Sequence, residues 1–360
     1  MKISRRSVLR ASGAAAALLA LSGCSAAGSA ALGSGVPDWV KKLVCGDAAS
    51  AASSEAASAA AGEAAASSVG AAASEAAPAL AAYDANVLTG EAGSGTGRIV
   101  GVMVNNISNS QRQNARPQRG IGSADILVES KVEGGITRLC ALFHDVGQIP
   151  EIGPLRSGRD QFLQLLMPWQ ALYYHDGESI FCTQFVSVYN YSGLNIGGKS
   201  YFNTPVHPHV AHRNSRGRDV AYEHTEFTSG EEIRQAADNA GIGLSKVYAL
   251  SMYDPSKKAY GSTVDELTGK QLTFENVVVC FADIAAYAGD SHDVQQVQYV
   301  QGGQAYLFTR GGVQTGRWEK NHPTQPLKLY TDSGEEMTLN RGKTYLAIVD
   351  NDEWSNFRYQ

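Results

Sequence analysis

A long stretch rich in Ala, Ser and Gly, residues 25–97, constrains most strongly what this 360-residue chain can fold into. Ala makes up over a third of the stretch, and large apolar side chains are scarce in it. Such a segment cannot bury enough apolar surface to offset the entropy that ordering would cost. We therefore predict a disordered linker, which leaves about 260 residues to build a hydrophobic core.

The first 24 residues have the pattern of a signal peptide. A basic start precedes the apolar run Ala14–Leu21, which is too short to span a bilayer. Small residues and then Cys24 follow this run, as in a bacterial lipobox, where the thiol takes a diacylglyceryl group and the Cys becomes the new N-terminus. Two acyl chains give a stable anchor. We predict a lipoprotein signal peptide over 1–24 and lipidation of Cys24; an ordinary secretion signal with a chance Cys is the alternative.

The basic start also contains an Arg pair. Ser4 precedes Arg5 and Arg6, and Val8 and Leu9 follow them, a pattern typical of twin-arginine export. Such a signal would carry the protein across the membrane already folded, whereas the general secretory route stays open as the alternative. Either route places the folded part on the extracytoplasmic face of the cytoplasmic membrane.

The net charge argues against nucleic acid as a partner. The chain has 30 Lys and Arg against 35 Asp and Glu, a formal charge of −5. The leader carries Lys2, Arg5, Arg6 and Arg10 but no acid, so its removal takes away four positive charges and leaves −9. A polyanion would be repelled on average by such a protein.

Residues 98–241 predict an α+β domain. β-type runs at 99–104, 125–132 and 136–143 include a hairpin around Gly134-Gly135. Ser157 with Asp160 three residues later predicts a capped helix start, and a further strand at 171–175 and helices at 178–186 and 229–240 follow.

Residues 242–360 predict a mostly antiparallel β domain. Short β-type runs alternate there with Gly-containing turns such as Gly302-Gly303 and Gly311-Gly312. The fold class is therefore α+β, with a mixed α/β N-terminal domain followed by a β-rich C-terminal domain. Cys140, Cys182 and Cys280 lie in the two domains without metal-type spacing; burial as apolar side chains is favoured, and a disulfide between two of them stays open.

Four Arg residues are the candidate ligand-binding residues. Arg156 and Arg159 flank a predicted helix N-terminus, where backbone N–H groups already favour an anion, and the planar guanidinium group suits carboxylate or phosphate. The alternative is that these Arg residues pair with Asp125, Glu129 and Glu133 and hold the hairpin to the helix. The full candidate set consists of Arg116, Arg138, Arg156, Arg159, Glu129, Glu133, His175 and His224.

A second cluster, His207-Pro208-His209 with His212, contains enough imidazole for Zn²⁺. No acid lies close to it in sequence before Asp219, and a catalytic metal site also needs an oriented second layer of partners. A metal-dependent enzyme is therefore the weaker alternative, and we predict no metal and no cofactor. No catalytic triad motif is present, so catalytic residues stay unassigned.

Several motifs, in order along the chain, resemble the YerB-like lipoprotein family, which is catalogued as a domain of unknown function with a separate C-terminal part. They are Asn114–Ile121, Ala124–Glu129, Val132–Leu139, Ile152–Arg159, Glu275–Val279 and Gly316–Lys320. The resemblance covers roughly residues 99–350. It implies a lipid-anchored envelope protein with a two-part fold and no agreed activity.

Two functions follow as hypotheses. The first is a membrane-anchored lipoprotein that binds an anionic glycan or peptide of the cell envelope through the Arg set. The second is a hydrolase or transferase that acts on such a polymer in the same Arg-lined cleft, with His175, Glu129 or His224 as acid or base.

Overall fold

The computed structural model of the chain describes residues 86–92, 97–198, 206–245, 253–254 and 263–359. The predicted signal peptide and Cys24 lie outside the described residues, as does the greater part of the predicted linker. Within the described residues, no helix is long and apolar enough to cross a membrane.

Within these residues, the α-helices are α1 (Asp160–Leu166), α2 (Ile180–Val188) and α3 (Gly230–Asn239). The first strands along the chain are β1 Val100–Asn105, β2 Ile126–Lys131, β3 Thr137–Phe143, β4 Leu172–His175, β5 Asn195–Gly197, β6 His212–Arg213 and β7 Glu226–Phe227. The later strands are β8 Tyr253–Asp254, β9 Thr263–Asp265, β10 Lys270–Leu272, β11 Asn276–Ala282, β12 Ile284–Ala286, β13 Gln295–Val297, β14 Gly303–Thr309, β15 Gly312–Glu319, β16 Lys328–Thr331, β17 Leu339–Asn340 and β18 Thr344–Asp350.

One mixed sheet of ten strands organises the fold, in the order β16-β15-β14-β11-β18-β2-β3-β1-β4-β5. The β2–β3 hairpin forms as predicted, with Gly134 and Gly135 at positive φ in the turn. The α+β class with a strand-rich C-terminal region is confirmed. Strand β18 runs parallel to both β11 and β2, so strands from the two predicted domains share one sheet. The division at residue 241 stays a prediction.

Both faces of the sheet are covered around β1 and β3. On one face, alternate residues of β1 and β3, including Val102 and Ala141, pack in the main hydrophobic core with Ile233 of α3. On the other face α1 comes so close that a Cβ on Gly101 would lie 2.7 Å from a methyl group of Leu166. The parallel strands β1, β4 and β5 have their C-terminal ends at the same edge of the sheet, between the layer of α3 and the layer of α1.

Two local predictions differ from the structure. Residues 86–92, assigned to the linker, pack against the fold: Val87 and Leu88 are buried, and the Asn86 amide donates to Oδ1 of Asp125 at 2.8 Å. The prediction that Ser157 caps helix α1 is wrong, because the helix begins at Asp160 after Arg159, without a side-chain cap. The carbonyl group of Ser157 instead accepts a hydrogen bond from Arg138.

Candidate functional site

Two of the predicted Arg residues meet at one carboxylate. Arg159 donates through Nε to Oε1 of Glu133, and Nη2 of Arg138 lies 3.4 Å from Oε2 of the same carboxylate. One further donor of each Arg binds backbone: Nη1 of Arg138 and Nη1 of Arg159 each lie 2.7 Å from a carbonyl oxygen, those of Ser157 and Gly158. Both Arg residues are buried. We call Glu133, Arg138 and Arg159 the Glu133 cluster. It holds the β2–β3 hairpin to the segment before α1, as the predicted alternative in which Arg residues pair with acids would have it.

The charges in the Glu133 cluster shift its pKa values. Burial alone would raise the pKa of Glu133, but the hydrogen bond and charge of Arg159, together with the charge of Arg138, lower it below its ordinary value. Burial and the charge of Arg159 lower the pKa of Arg138. The carboxylate therefore stays ionised, and its charge is committed to these two side chains.

His175 is fully buried at the end of β4. Its Nε2 lies 2.7 Å from Oδ1 of Asn195, whose amide nitrogen donates to Glu178 at 3.0 Å. This orientation of Asn195 requires that Nε2 of His175 carries a proton and donates it. Burial lowers the pKa of His175, although the charge of Glu178 opposes the shift. The imidazole is thus neutral and closed to solvent.

His224 is equally enclosed. The Oδ1 atom of Asn105 accepts from the backbone of Ile107, so the amide nitrogen of Asn105 faces Nδ1 of His224 at 3.1 Å. Nε2 therefore carries the proton and donates to Oε1 of Gln113 at 3.0 Å. Burial lowers the pKa of His224, and the charges of Arg156 and Arg218 lower it further, against the opposing charge of Glu223. Both ring nitrogens are occupied.

Three Arg residues form a more exposed group, which we call the Arg surface: Arg116, Arg156 and Arg218. Arg156 is 34% exposed and lies 3.8 Å from Glu223. Arg116 is exposed and uses Nε to bind Asn106, while Arg218 donates to the carbonyl oxygen of Arg116 at 2.7 Å. Arg218 and Arg156 both lie near enough to His224 to lower its pKa. Sequence reasoning did not single out Arg218.

Glu129 lies on the opposite face of the sheet from Arg138. It pairs across the ladder with Leu139, the neighbour of Arg138, and successive strand residues point to opposite faces. Glu129 accepts hydrogen bonds from Tyr345 and from Asn106. The predicted set therefore divides into the Glu133 cluster, the buried imidazoles, the Arg surface and Glu129.

A polar cleft of about 420 Å³ opens beside the Glu133 cluster and the N-terminus of α2. Arg159 lines it together with Glu133, Glu178 and Asp290. Carboxylates outnumber guanidinium groups along this wall, and Asp290 caps the turn to Val294 by accepting backbone N–H groups. The cleft is therefore a poor host for an anion. Among the predicted Arg residues, the ones whose charge is accessible to a ligand, Arg116 and Arg156, belong to the Arg surface.

His209 and His212, from the second predicted cluster, contact two different groups of acids. His212 lies between Glu151 and Glu232, with a nitrogen–oxygen distance of 2.9 Å to each. His209 points elsewhere: its Nε2 is 2.9 Å from Oε1 of Glu226 and 3.9 Å from Oδ1 of Asp176. These acids are remote in sequence, so spacing alone could not reveal them.

The cluster of Asp176, His209 and Glu226 brings one imidazole and two carboxylates together. Their nearest donor atoms all lie within 4.8 Å of one another. Burial raises the pKa of Asp176, and contact with Glu226 raises it further. Arg213 lies 2.7 Å from Oε2 of Glu226 and neutralises part of the negative charge.

Comparisons with known proteins identify the family to which the chain belongs. Residues 88–243 match the family model described as "Protein of unknown function (DUF3048) N-terminal domain", and residues 245–346 match the corresponding C-terminal domain. The chain is 28% identical over 294 residues to the protein named "Putative lipoprotein YerB" of Bacillus subtilis (strain 168), which covers 70% of this chain and 81% of that protein.

A solved structure shares the fold. The crystal structure of YerB protein from Bacillus subtilis superposes with a TM-score of 0.60 at 23% identity, over 74% of this chain and 96% of that one. The sequence motifs, both domain matches and this similarity agree. The chain belongs to the DUF3048 family.

Proposed function

We propose that this protein is an extracytoplasmic lipoprotein, anchored by lipid on Cys24, that binds an anionic glycan or peptide of the cell envelope at the Arg surface. The signal-peptide pattern supports the anchoring, and so does the name of the Bacillus relative. Anchoring would keep the binding surface within reach of envelope polymers and give the Ala-rich stretch the role of a spacer.

The observation that carries the binding proposal is how the Arg residues are partnered. Arg138 and Arg159 are buried and committed to Glu133. Among the described residues, no carboxylate oxygen lies within 4 Å of Arg116, and Arg156 has only the distant contact with Glu223. Exposed guanidinium groups with spare N–H donors are the groups that can take up an anionic oxygen from outside.

The arrangement favours binding over catalysis by the predicted residues. His224 has a partner on both nitrogens, His175 is fully buried, and Glu129 already accepts hydrogen bonds from Tyr345 and Asn106. A general acid or base must reach the substrate within a hydrogen bond or through one water. Neither imidazole offers that reach to a polymer at the Arg surface.

Binding can be tested with soluble peptidoglycan fragments that carry free carboxylates. The double variant Arg116→Ala/Arg156→Ala should bind them at least about tenfold more weakly than the wild type, because each charged hydrogen bond contributes about 1.5 kcal/mol or more. Arg341→Ala, which removes another exposed Arg, is the matched control and should bind like the wild type. Equal affinity of the double variant and the wild type would overturn the proposal.

Anchoring has its own test. Labelled palmitate should enter the wild-type protein in cells, and Cys24→Ser should abolish the label and release the protein from the membrane fraction. Cys45→Ser is the control and should remain labelled. Label that persists in Cys24→Ser would assign the lipid to another residue.

A further inference from the structure

We propose that Asp176, His209 and Glu226 form a binding site for one divalent transition-metal ion, with water completing its coordination. The imidazole nitrogen and a carboxylate oxygen from each acid would be the protein ligands. This donor set suits Zn²⁺ and its relatives better than Mg²⁺ or Ca²⁺, which prefer oxygen donors alone.

The distances fit such an ion. Zn–N and Zn–O bonds are about 2.1 Å, so two donors on one ion are roughly 3–3.5 Å apart. Nε2 of His209 lies 2.9 Å from Glu226 and 3.9 Å from Asp176. A shift of about 0.5 Å in the Asp176 side chain, which is 41% exposed, brings its carboxylate into this range from His209, and the three donor atoms already lie within 4.8 Å of one another.

The surroundings orient two of the ligands. Arg213 holds Oε2 of Glu226 at 2.7 Å and leaves Oε1 turned towards His209. The His209 ring meets Tyr174 edge-on at a centroid distance of 6.4 Å, which restricts its rotation. Partners of this kind, behind the ligands themselves, fix ligand geometry in metal sites.

Space for water is provided by Gly198, which follows β5. A Cβ at this position would lie 3.0 Å from Cε1 of His209 and 3.3 Å from Oδ1 of Asp176. The absence of a side chain thus leaves the exposed side of the cluster open. Asp176 directly follows β4, so the site lies at the C-terminal ends of two parallel strands, where sheets of this type commonly bind ligands.

The charge balance supports a cation. Two carboxylates in direct contact repel each other unless a proton or a metal ion lies between them. Arg213 supplies one positive charge against the two. A divalent ion would satisfy both carboxylates at once, and it would bind His209 in place of the hydrogen bond to Glu226.

The test uses the full chain, purified in detergent and stripped of metal with a chelator. Equilibrium dialysis against Zn²⁺ should give one saturable site per chain. Asp176→Asn, His209→Gln and Glu226→Gln should each weaken that site at least tenfold. His207→Gln and His212→Gln are the matched controls from the same loop, and each should bind Zn²⁺ like the wild type.

Co²⁺ provides a second measurement. Its visible absorption should show nitrogen and oxygen ligands, and Asp176→Asn should lose that spectrum even if the other two variants fold poorly, because Asp176 is partly exposed. The proposal is overturned by the absence of a saturable site, by unchanged affinity in all three variants, or by a strong sulfur-to-cobalt band that assigns the metal to Cys. The Arg116→Ala/Arg156→Ala variant should keep the site, so this test is independent of anion binding.

Discussion

The hydroxyl group of Tyr287 donates a hydrogen bond of 2.7 Å to Oδ2 of Asp160, 127 residues earlier in the chain. Asp160 is fully buried and begins α1, whereas Tyr287 follows β12 in the C-terminal part. The ring of Tyr287 stacks on Phe181 of α2 at a centroid distance of 3.7 Å. The C-terminal part therefore supports the two helices that lie next to the Glu133 cluster.

The first prediction concerns this bond. Tyr287→Phe should lower the free energy of unfolding by about 1–3 kcal/mol, because a buried carboxylate loses its shorter side-chain hydrogen bond and keeps the weaker 3.2 Å bond from Gln164. Urea denaturation at pH 7 measures the change. Tyr222→Phe removes a hydroxyl from an exposed Tyr and should change stability by less than about 0.5 kcal/mol. Equal losses in the two variants would contradict the proposed role of the bond.

The second prediction concerns pH. Burial raises the pKa of Asp160 to about 6, although Tyr287 and Gln164 oppose the shift. Below the ordinary pKa of 3.8 the group is protonated in both states, and between 3.8 and 6 only the unfolded chain releases the proton. The stabilisation that the protonated Asp160 carboxyl group contributes is therefore complete below about pH 3.8. It is lost as the pH rises from there through about 6.

Asp160→Asn should remove this dependence. The free energy of unfolding of the wild type, relative to the variant, should fall by about 2.4 kcal/mol between pH 4 and pH 7. Asn can still accept the hydrogen bond from Tyr287, so the variant is expected to fold. Urea denaturation at the two pH values measures the difference, and a constant difference would show that the carboxyl group titrates normally.

The third prediction concerns the Glu133 cluster. Glu133→Gln should destabilise the protein by about 3 kcal/mol or more, since it leaves Arg138 and Arg159 buried without a countercharge. Glu336→Gln is the matched control: Glu336 pairs with Lys328 at 2.9 Å, but both side chains are more than 40% exposed. It should cost less than about 1 kcal/mol. A loss of similar size in the two variants would mean that burial adds nothing to the cluster.

The elements predicted from residues close together in sequence agree well with the structure. The hairpin turn at Gly134, the helix that Ser229 caps and strand β4 all depend on residues close in sequence, and all form as predicted. Ser157 failed as a cap although its spacing to Asp160 was right. A tertiary contact accounts for this difference, because Arg138 of the Glu133 cluster donates a hydrogen bond to the carbonyl group of Ser157.

Long-range pairing was beyond prediction from one sequence. Nothing in β18 shows that it lies between β11 and β2, since a parallel neighbour can be any distant strand. The same applies to the site. Residue type identified Arg156 and His209 as candidates, but only the fold shows that Arg156 remains partly exposed while Arg138 is buried, and that His209 meets Asp176 and Glu226.

The fourth prediction concerns the cysteines, for which the sequence left a disulfide open. Cys140, Cys182 and Cys280 are free and buried in the structure, and burial raises the pKa of all three thiols. Reactivity requires an accessible thiolate, and these positions favour neither access nor ionisation.

In a chain carrying Cys24→Ser and Cys45→Ser, a thiol reagent at pH 8 should therefore find no reactive group in the native protein and three after unfolding in urea without a reductant. Restoring Cys45 is the positive control, and it should add one reactive group to the count for the unfolded chain. Because a disulfide would remove two of the three thiols, a count of one in the unfolded double variant would show that two of these cysteines pair during export.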